Sequence, residues 1–344
     1  MVTIEEVAKL AGVSVATVSR VLNNSETVKP ATAKRVSEAI RSLNYIPNQS
    51  ARNLRRSESR VILILAPNFS NPFYSRILTG IGDMAHGCGY SVLICNTAGQ
   101  TENEVKFLEM LENRRADGAI YLACRKDYEW LADYAERFPM VLCCEYVPAL
   151  DIASVSIDNY AAACETVSRL LALGHRRIAL LSAENDYIST QLRMQGYRDT
   201  LERAGIRADS GLCAFADMDY SFASGLAAAD RLLHLDDRPT AVFCISDILG
   251  LSVISRAHDM GLRVPEDLSV TGFDDVDYTT MFHPHLSTVA QPCYEMGQVS
   301  LKILLDMLQG GHSPQARTYL PHDLVLREST APVGAKREGE TEKC

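Results

Sequence analysis

Residues 3–23 read TIEEVAKLAGVSVATVSRVLN, a run that spells out two helices with a tight turn between them. Thr3 is a helix N-cap and Glu6 reaches back to it, the reciprocal pattern of a capping box. The helix so started runs to about Ala11. Gly12 supplies the turn, Ser14 caps a second helix, and Val15 to Leu22 carries Val18, Val21 and Leu22 on one face. Ala8 where the helices touch, Gly12 at the turn and Val18 beyond it meet the crossing geometry of a helix-turn-helix. A third helix, about Pro30 to Leu43, places Val36, Ala39, Ile40 and Leu43 at helical spacing and completes a small core. The expected headpiece is therefore all-α, with an ordinary helical hairpin as the alternative.

The charge around this run is unlike that of the rest of the chain. Residues 1–60 hold ten Lys/Arg against five Asp/Glu, a net of +5, whereas the 344 residues together carry −9. A basic head on an acidic body points to a polyanion partner for the N-terminus alone. At 47% hydrophobic and 22% charged the chain has the composition of a globular protein of two or three domains. No run is long and apolar enough for a membrane span, and the opening residues lack a signal-peptide core, so the expected location is the cytoplasm.

From Arg60 onward short β-rich runs alternate with helical stretches, the pattern of a parallel sheet covered by helices on both faces. The strands are expected at Val61–Ala66, Tyr90–Asn96, Gly118–Ala123, Met140–Cys144, Arg177–Leu181, Gly211–Ala214, Ala241–Ile245 and Leu268–Gly272. They suffice for an α/β core of two doubly wound parallel-sheet subdomains. A break near Ser156–Asn159 and a second crossing near Leu286–Pro292 divide them. Ligands of such sheets sit at the carboxyl ends of strands, so the cleft between the halves is the expected pocket. The domain expectation is a headpiece over residues 1–47, a polar and basic linker or conditional helix over 48–59, and a core over 60–331. Within the core, one subdomain takes about 60–158 and 290–321 and the other about 159–289 and 322–331; residues 332–344 read as a disordered tail.

Several chemistries are excluded. Gly80-Ile81-Gly82-Asp83-Met84-Ala85 fits a loose dinucleotide pattern, but it falls inside a helix instead of directly after a strand. There is neither a phosphate-loop Gly-Lys-Ser/Thr nor a nucleophile elbow, which argues against an enzyme, and no cofactor is called for. The cysteines form no Cys-x-x-Cys pair and read as buried thiols. Adjacent Cys143 and Cys144 should point to opposite faces of a strand, and His283 and His285 flank Pro284 without metal spacing, so no metal site is expected. A sugar-uptake binding protein would have no use for the basic head.

If the second helix enters a major groove, Val15, Ala16 and Thr17 face base edges, with Ser19 and Arg20 one turn on. Arg20 is the base reader, Val15 and Ala16 offer apolar contact to thymine methyls, and Thr17, Ser19 and Asn23 suit phosphates.

These residues, with Leu43-Asn44-Tyr45-Ile46-Pro47-Asn48, resemble the headpiece of the lactose/galactose-repressor (LacI/GalR) family. The likeness continues through Asn71-Pro72-Phe73-Tyr74, Gly174-His175, Gly196-Tyr197, residues 264–270, Gly272-Phe273-Asp274-Asp275 and Leu286-Ser287-Thr288-Val289, covering nearly the whole chain. It is strongest to the cytidine-repressor and ribose/purine branches. It implies a repressor that binds a near-palindromic double-stranded operator as a homodimer under small-molecule control, and a core like a type I periplasmic binding protein. It adds Thr3, Ser14, Tyr45, Asn48, Ala51 and Arg55 to the DNA-contacting set, and implies that 48–56 folds into a hinge helix whose Leu54 wedges into the minor groove. The alternative for Leu54 is a linker residue packed on the core.

The resemblance also marks an effector set. Phe73 and Tyr74 would line the pocket beside Asn71, although Asn-Pro is also a turn signal. Arg193 would bind hydroxyls, with a solvated surface arginine as the alternative. Asp274 stands at a strand's carboxyl end, Tyr220 where relatives stack an aromatic ring, and Ser246 where relatives often have Asn, a departure that loses one hydrogen bond of the side-chain amide and opens space. Arg125 and Gln291 complete the set. Sugar, nucleoside and nucleobase effectors all remain open.

Overall fold

The computed structural model describes residues 2–22, 27–45, 58–125, 128–311 and 317–334, which divide at Ser59/Arg60 into two compact units. In the first unit the helices are α1 (Ile4–Ala11), α2 (Val15–Leu22) and α3 (Pro30–Ser42). The capping box at Thr3 is complete: Thr3 N–H donates to Glu6 Oε2 at 2.9 Å, and Glu6 N–H to Thr3 Oγ1 at 3.3 Å. Gly12 takes φ +63°, where a side chain would be strained, so the turn falls on the residue that tolerates it. Val7, Ala8, Val18 and Val36 are buried together, and the three short helices hold one another through this cluster.

The second unit begins on the strand VILILA, an apolar run buried on both faces as an inner strand of a parallel sheet requires, whereas its edge strands are partly exposed. One six-stranded parallel sheet has the order β11-β5-β4-β3-β1-β2, from β1 (Val61–Ala66), β2 (Ser91–Asn96), β3 (Gly118–Tyr121), β4 (Met140–Cys143), β5 (Ser154–Ile157) and β11 (Arg317–Leu320). A four-stranded parallel sheet has the order β7-β6-β8-β9, from β6 (Ile178–Ala183), β7 (Cys213–Ala216), β8 (Ala241–Cys244) and β9 (Ser269–Thr271). An antiparallel pair, β10 (Thr288–Ala290) and β12 (Asp323–Val325), runs between them.

The helices of this unit are α4 (Pro72–Gly87), α5 (Thr101–Glu112), α6 (Leu131–Arg137), α7 (Asn159–Ala172), α8 (Ile188–Arg203), α9 (Phe222–Leu233), α10 (Asp247–Asp259) and α11 (Cys293–Leu308). The chain passes from the first sheet to the second after β5, returns with α11, and crosses again between β11 and β12.

Three sequence expectations change. The chain does leave the first sheet within the stretch read as a break near Ser156–Asn159, but a fully buried strand absent from the expected ones, β5, runs into that stretch before the turn at Asp158, which caps α7. The expected strand ends shift by up to two residues: β3 stops at Tyr121 and β8 at Cys244, whereas β6 and β7 run on to Ala183 and Ala216. Cys143 and Cys144 do not diverge: β4 ends at Cys143, Cys144 takes φ +76°, and the two sulfurs lie 3.7 Å apart. The left-handed turn cancels the alternation that a continuing strand would impose.

The glycine-rich run lies within α4, as its spacing indicated. A Cβ on Gly80 would come within 2.1 Å of the Tyr294 carbonyl oxygen, and one on Gly297 within 2.3 Å of the Ile77 carbonyl oxygen. These glycines let α4 and α11 pack backbone to backbone.

Candidate functional site

The first candidate surface is α2. Ala16 and Arg20, four apart and so on one face, are exposed, with Thr17 and Ser19 half-buried beside them. Val15 is packed partly against the headpiece core, and Thr17 shares a hydrogen bond of 2.9 Å with Ser14 Oγ while its N–H donates to the same oxygen at 3.2 Å. Thr3 is exposed as the cap, and Tyr45 rests against the core. Asn23, Asn48, Ala51, Leu54 and Arg55 lie outside the described residues, as does the tail beyond Gly334.

The second surface is the cleft between the two sheets. Asn71, Phe73, Tyr74, Cys144 and Glu145 reach it from the first sheet's side, and Tyr187, Ser189, Arg193, Tyr220, Ser246 and Asp274 from the second's. The sequence-selected residues thus converge, with two exceptions. Arg125 turns its guanidinium onto the Gly99 carbonyl and the Tyr128 ring and so shapes the rim. Gln291 sits behind the wall, donating from Nε2 to Asp274 Oδ1 at 2.7 Å.

Arg193 is buried, not solvated. It donates from Nε to Asn159 Oδ1 at 2.8 Å and from Nη1 to the Ile245 carbonyl at 2.6 Å, stands 3.8 Å from Asp274 Oδ1, and lies 3.6 Å from the Phe273 ring centre. Such a guanidinium is fixed before any ligand arrives, which spares the entropy of ordering it on binding. Burial pushes the Asp274 carboxyl up to about 7 against the opposing pull of Arg193 and Gln291.

Asn71 and Ser246 do double service. Asn71 accepts from Phe73 N–H at 3.1 Å as the cap of α4, and Ser246 accepts from Leu249 N–H at 3.4 Å as the cap of α10, while both line the cleft. The turn reading of Asn-Pro and the pocket reading are therefore compatible. The Tyr220 hydroxyl is held by Asn185 Nδ2 at 2.9 Å and Thr190 Oγ1 at 2.8 Å, and burial raises it to about 12.

Sequence reading missed Glu145, Tyr187, Ser189 and Asp247. Glu145 follows β4, and Ser189 opens α8 on the opposite lobe. Ser189 donates to Glu145 through its N–H at 3.0 Å and through its hydroxyl. Desolvation outweighs these bonds and raises the Glu145 carboxyl to about 7. Asp247 is buried beneath the Asp274 loop, accepting from Val276 N–H at 2.8 Å and from the Thr288 hydroxyl, and so fixes the backbone that presents Asp274. No local motif marks them; a lone acidic residue after an apolar strand was the available signal. Between these side chains the cleft leaves two small spaces of about 30 and 50 Å³, room for a few waters.

A helix-turn-helix unit joined in one chain to a two-sheet core with a charged, aromatic-lined cleft defines a DNA-binding regulator built on a ligand-binding fold. Residues 3–48 match the bacterial regulatory proteins of the lacI family, and residues 167–330 match the periplasmic binding protein-like domain. The chain is 39% identical to the HTH-type transcriptional repressor CytR of Escherichia coli (strain K12) over 329 residues, 95% of this chain and 96% of the relative. It is 34% identical to the transcriptional repressor PurR of Vibrio atlanticus, covering 96% of this chain and 98% of that one. Among solved structures, the lac repressor dimer bound to operator and the anti-inducer ONPF superposes with a TM-score of 0.87 at 29% identity, over 96% and 99% of the two chains. The chain belongs to the LacI family of bacterial transcription regulators. No described helix is long and apolar enough to cross a membrane.

Proposed function

We infer that this protein is a homodimeric, cytoplasmic repressor, not an enzyme, whose grip on a near-palindromic operator is set by a sugar, nucleoside or nucleobase held in the interlobe cleft. The observation that carries the reading is Arg193, buried at the junction of the two lobes with its guanidinium fixed by Asn159, Ile245 and Asp274. On this reading Arg193 and Asp274 bind hydroxyl or ring-nitrogen groups, and Phe73, Tyr74 and Tyr220 receive a ring face. A ring-sized effector exceeds these spaces, so on this reading its binding shifts the lining side chains and parts or rotates the lobes. Linkers over 48–59 would pass that motion to the headpieces, where Arg20 reads bases and Leu54 bends the DNA.

The second copy has a place to dock. Phe222, Tyr278 and Phe282 are 44%, 43% and 65% exposed and line a mainly apolar groove of about 810 Å³ between α9, α10 and the 3-10 turn Asp277–Thr280. Leu93 and Ile94 add apolar surface on the edge strand β2.

The test is a thermal-shift screen of sugars, nucleosides and nucleobases on wild type and Arg193→Ala, followed by operator binding with each stabilising compound. The expected result is one class that raises the melting temperature of wild type only and changes operator affinity. A compound that stabilises both proteins equally would remove Arg193 from the effector site.

A further inference from the structure

We propose that Cys143 and Cys144 form a two-thiol binding site for a trivalent arsenical, set in the wall of the interlobe cleft. Their sulfurs lie 3.7 Å apart. Two sulfurs joined to one central atom by bonds of about 2.3 Å, at pyramidal to tetrahedral angles, stand roughly 3.4–3.8 Å apart, so the pair already has the spacing of a chelate. A direct disulfide fits less well, because neighbouring Cα atoms are about 3.8 Å apart, short of the roughly 4.4–6.8 Å that disulfides ordinarily span.

The fold holds the two thiols on one side. Cys144 takes φ +76°, a left-handed backbone that a residue with a Cβ keeps only where its surroundings impose it. Its N–H donates to the Val155 carbonyl at 2.8 Å, which ties the turn to the neighbouring strand β5. Cys143 is fully buried, and Cys144, 8% exposed, lines the cleft space of about 30 Å³ beside Glu145. A small molecule in the cleft therefore meets Cys144 first and Cys143 next.

The class of ligand follows from what surrounds the pair. Among the described residues no third His, Cys, Asp or Glu donor atom lies within 4.8 Å of both sulfurs. The adjacent Glu145 is engaged by Ser189, through its N–H at 3.0 Å and its hydroxyl. A tetrahedral cation would be short of ligands and would carry its charge into a buried wall. Arsenous acid is neutral and suits two thiols. Two of its As–O bonds break and two As–S bonds form, the thiol protons leave with the displaced hydroxides as two waters, arsenic stays trivalent, and the product keeps one hydroxyl and no charge. The competing account is a weak S–H···S hydrogen bond, which takes up nothing.

The experiment is arsenite binding to the reduced full chain, with arsenic content measured after desalting and no effector present, so that its outcome is independent of the sugar, nucleoside or nucleobase proposed above. The variants are Cys143→Ser, Cys144→Ser and the control C88S/C164S, which removes two more exposed thiols. Wild type and control should retain one arsenic per chain. Each single variant should bind about a hundredfold or more weakly, because the second sulfur bonds intramolecularly. A competing dithiol should strip the arsenic from wild type, and a monothiol at equal thiol concentration should not. Circular dichroism and thermal unfolding check that each variant is folded, and X-ray absorption at the arsenic edge, which needs no variant, should show at least two sulfur neighbours in wild type. No arsenic retained by wild type, equal affinity in a folded single variant, or fewer than two sulfur neighbours would overturn the site.

Discussion

Two residues carry most of the chemistry that a single side chain can test. Glu145 is a carboxyl raised from 4.5 to about 7 by burial, so its folded-state value lies above its unfolded one. Such a group favours the folded state while protonated and opposes it once ionised: its contribution falls as pH rises from about 4.5 to 7 and is level above that. Glu145→Gln keeps an acceptor for Ser189 and removes the proton. Denaturant unfolding between pH 5 and 8 should show a flatter stability profile for the variant, by a few kcal/mol at most; parallel profiles would mean that Glu145 stays ionised throughout. Arg20 is the second. Its exposure beside Ala16 on α2 suits a base contact, and Arg20→Ala should cost about 1–3 kcal/mol in operator binding with little loss of non-specific binding. Equal losses on both DNAs would make it a phosphate contact.

At the scale of elements, α4 and α11 show how a motif can mislead. Gly80 and Gly82 share the dinucleotide-like run, yet a Cβ on Gly80 meets the Tyr294 backbone whereas one on Gly82 meets nothing within 4 Å. Thermal unfolding should therefore separate them. Gly80→Ala should destabilise by roughly 1–3 kcal/mol, as overpacking does, and Gly82→Ala should be neutral or stabilise by up to about 1 kcal/mol through helix propensity. Equal effects would place the helix pair farther apart than described here. The headpiece elements were legible because each boundary is a local event: Thr3 and Glu6 cap, Gly12 turns, Val18 buries. Strand β5 was not, since SVSI is short, half polar and buried only because β4 and β11 flank it.

For the whole molecule, the apolar groove beside α9 and α10 argues that the working unit is a pair of chains. Phe282→Asp places a charge on the most exposed of its aromatics and should shift sedimentation from dimer toward monomer. Operator affinity should fall with it, because two tethered headpieces gain from effective concentration what one cannot. A variant that stays dimeric would move the interface elsewhere, with the β2 edge the next surface to test.

The sequence alone determined the helix-turn-helix, the basic head, the alternation that makes two parallel sheets and most of the cleft residues, because caps, periodicity and family motifs are local along the chain. Tertiary structure decided the rest. It buried Arg193 against Asn159 and Asp274, joined Glu145 to Ser189 across the lobes, turned Cys144 back onto Cys143 and brought Glu328 to His283 and His285. Each of these couples residues whose chain neighbours say nothing of one another, or rests on a backbone turn, and the energies that hold them come from burial and pairing that exist only once the lobes have packed.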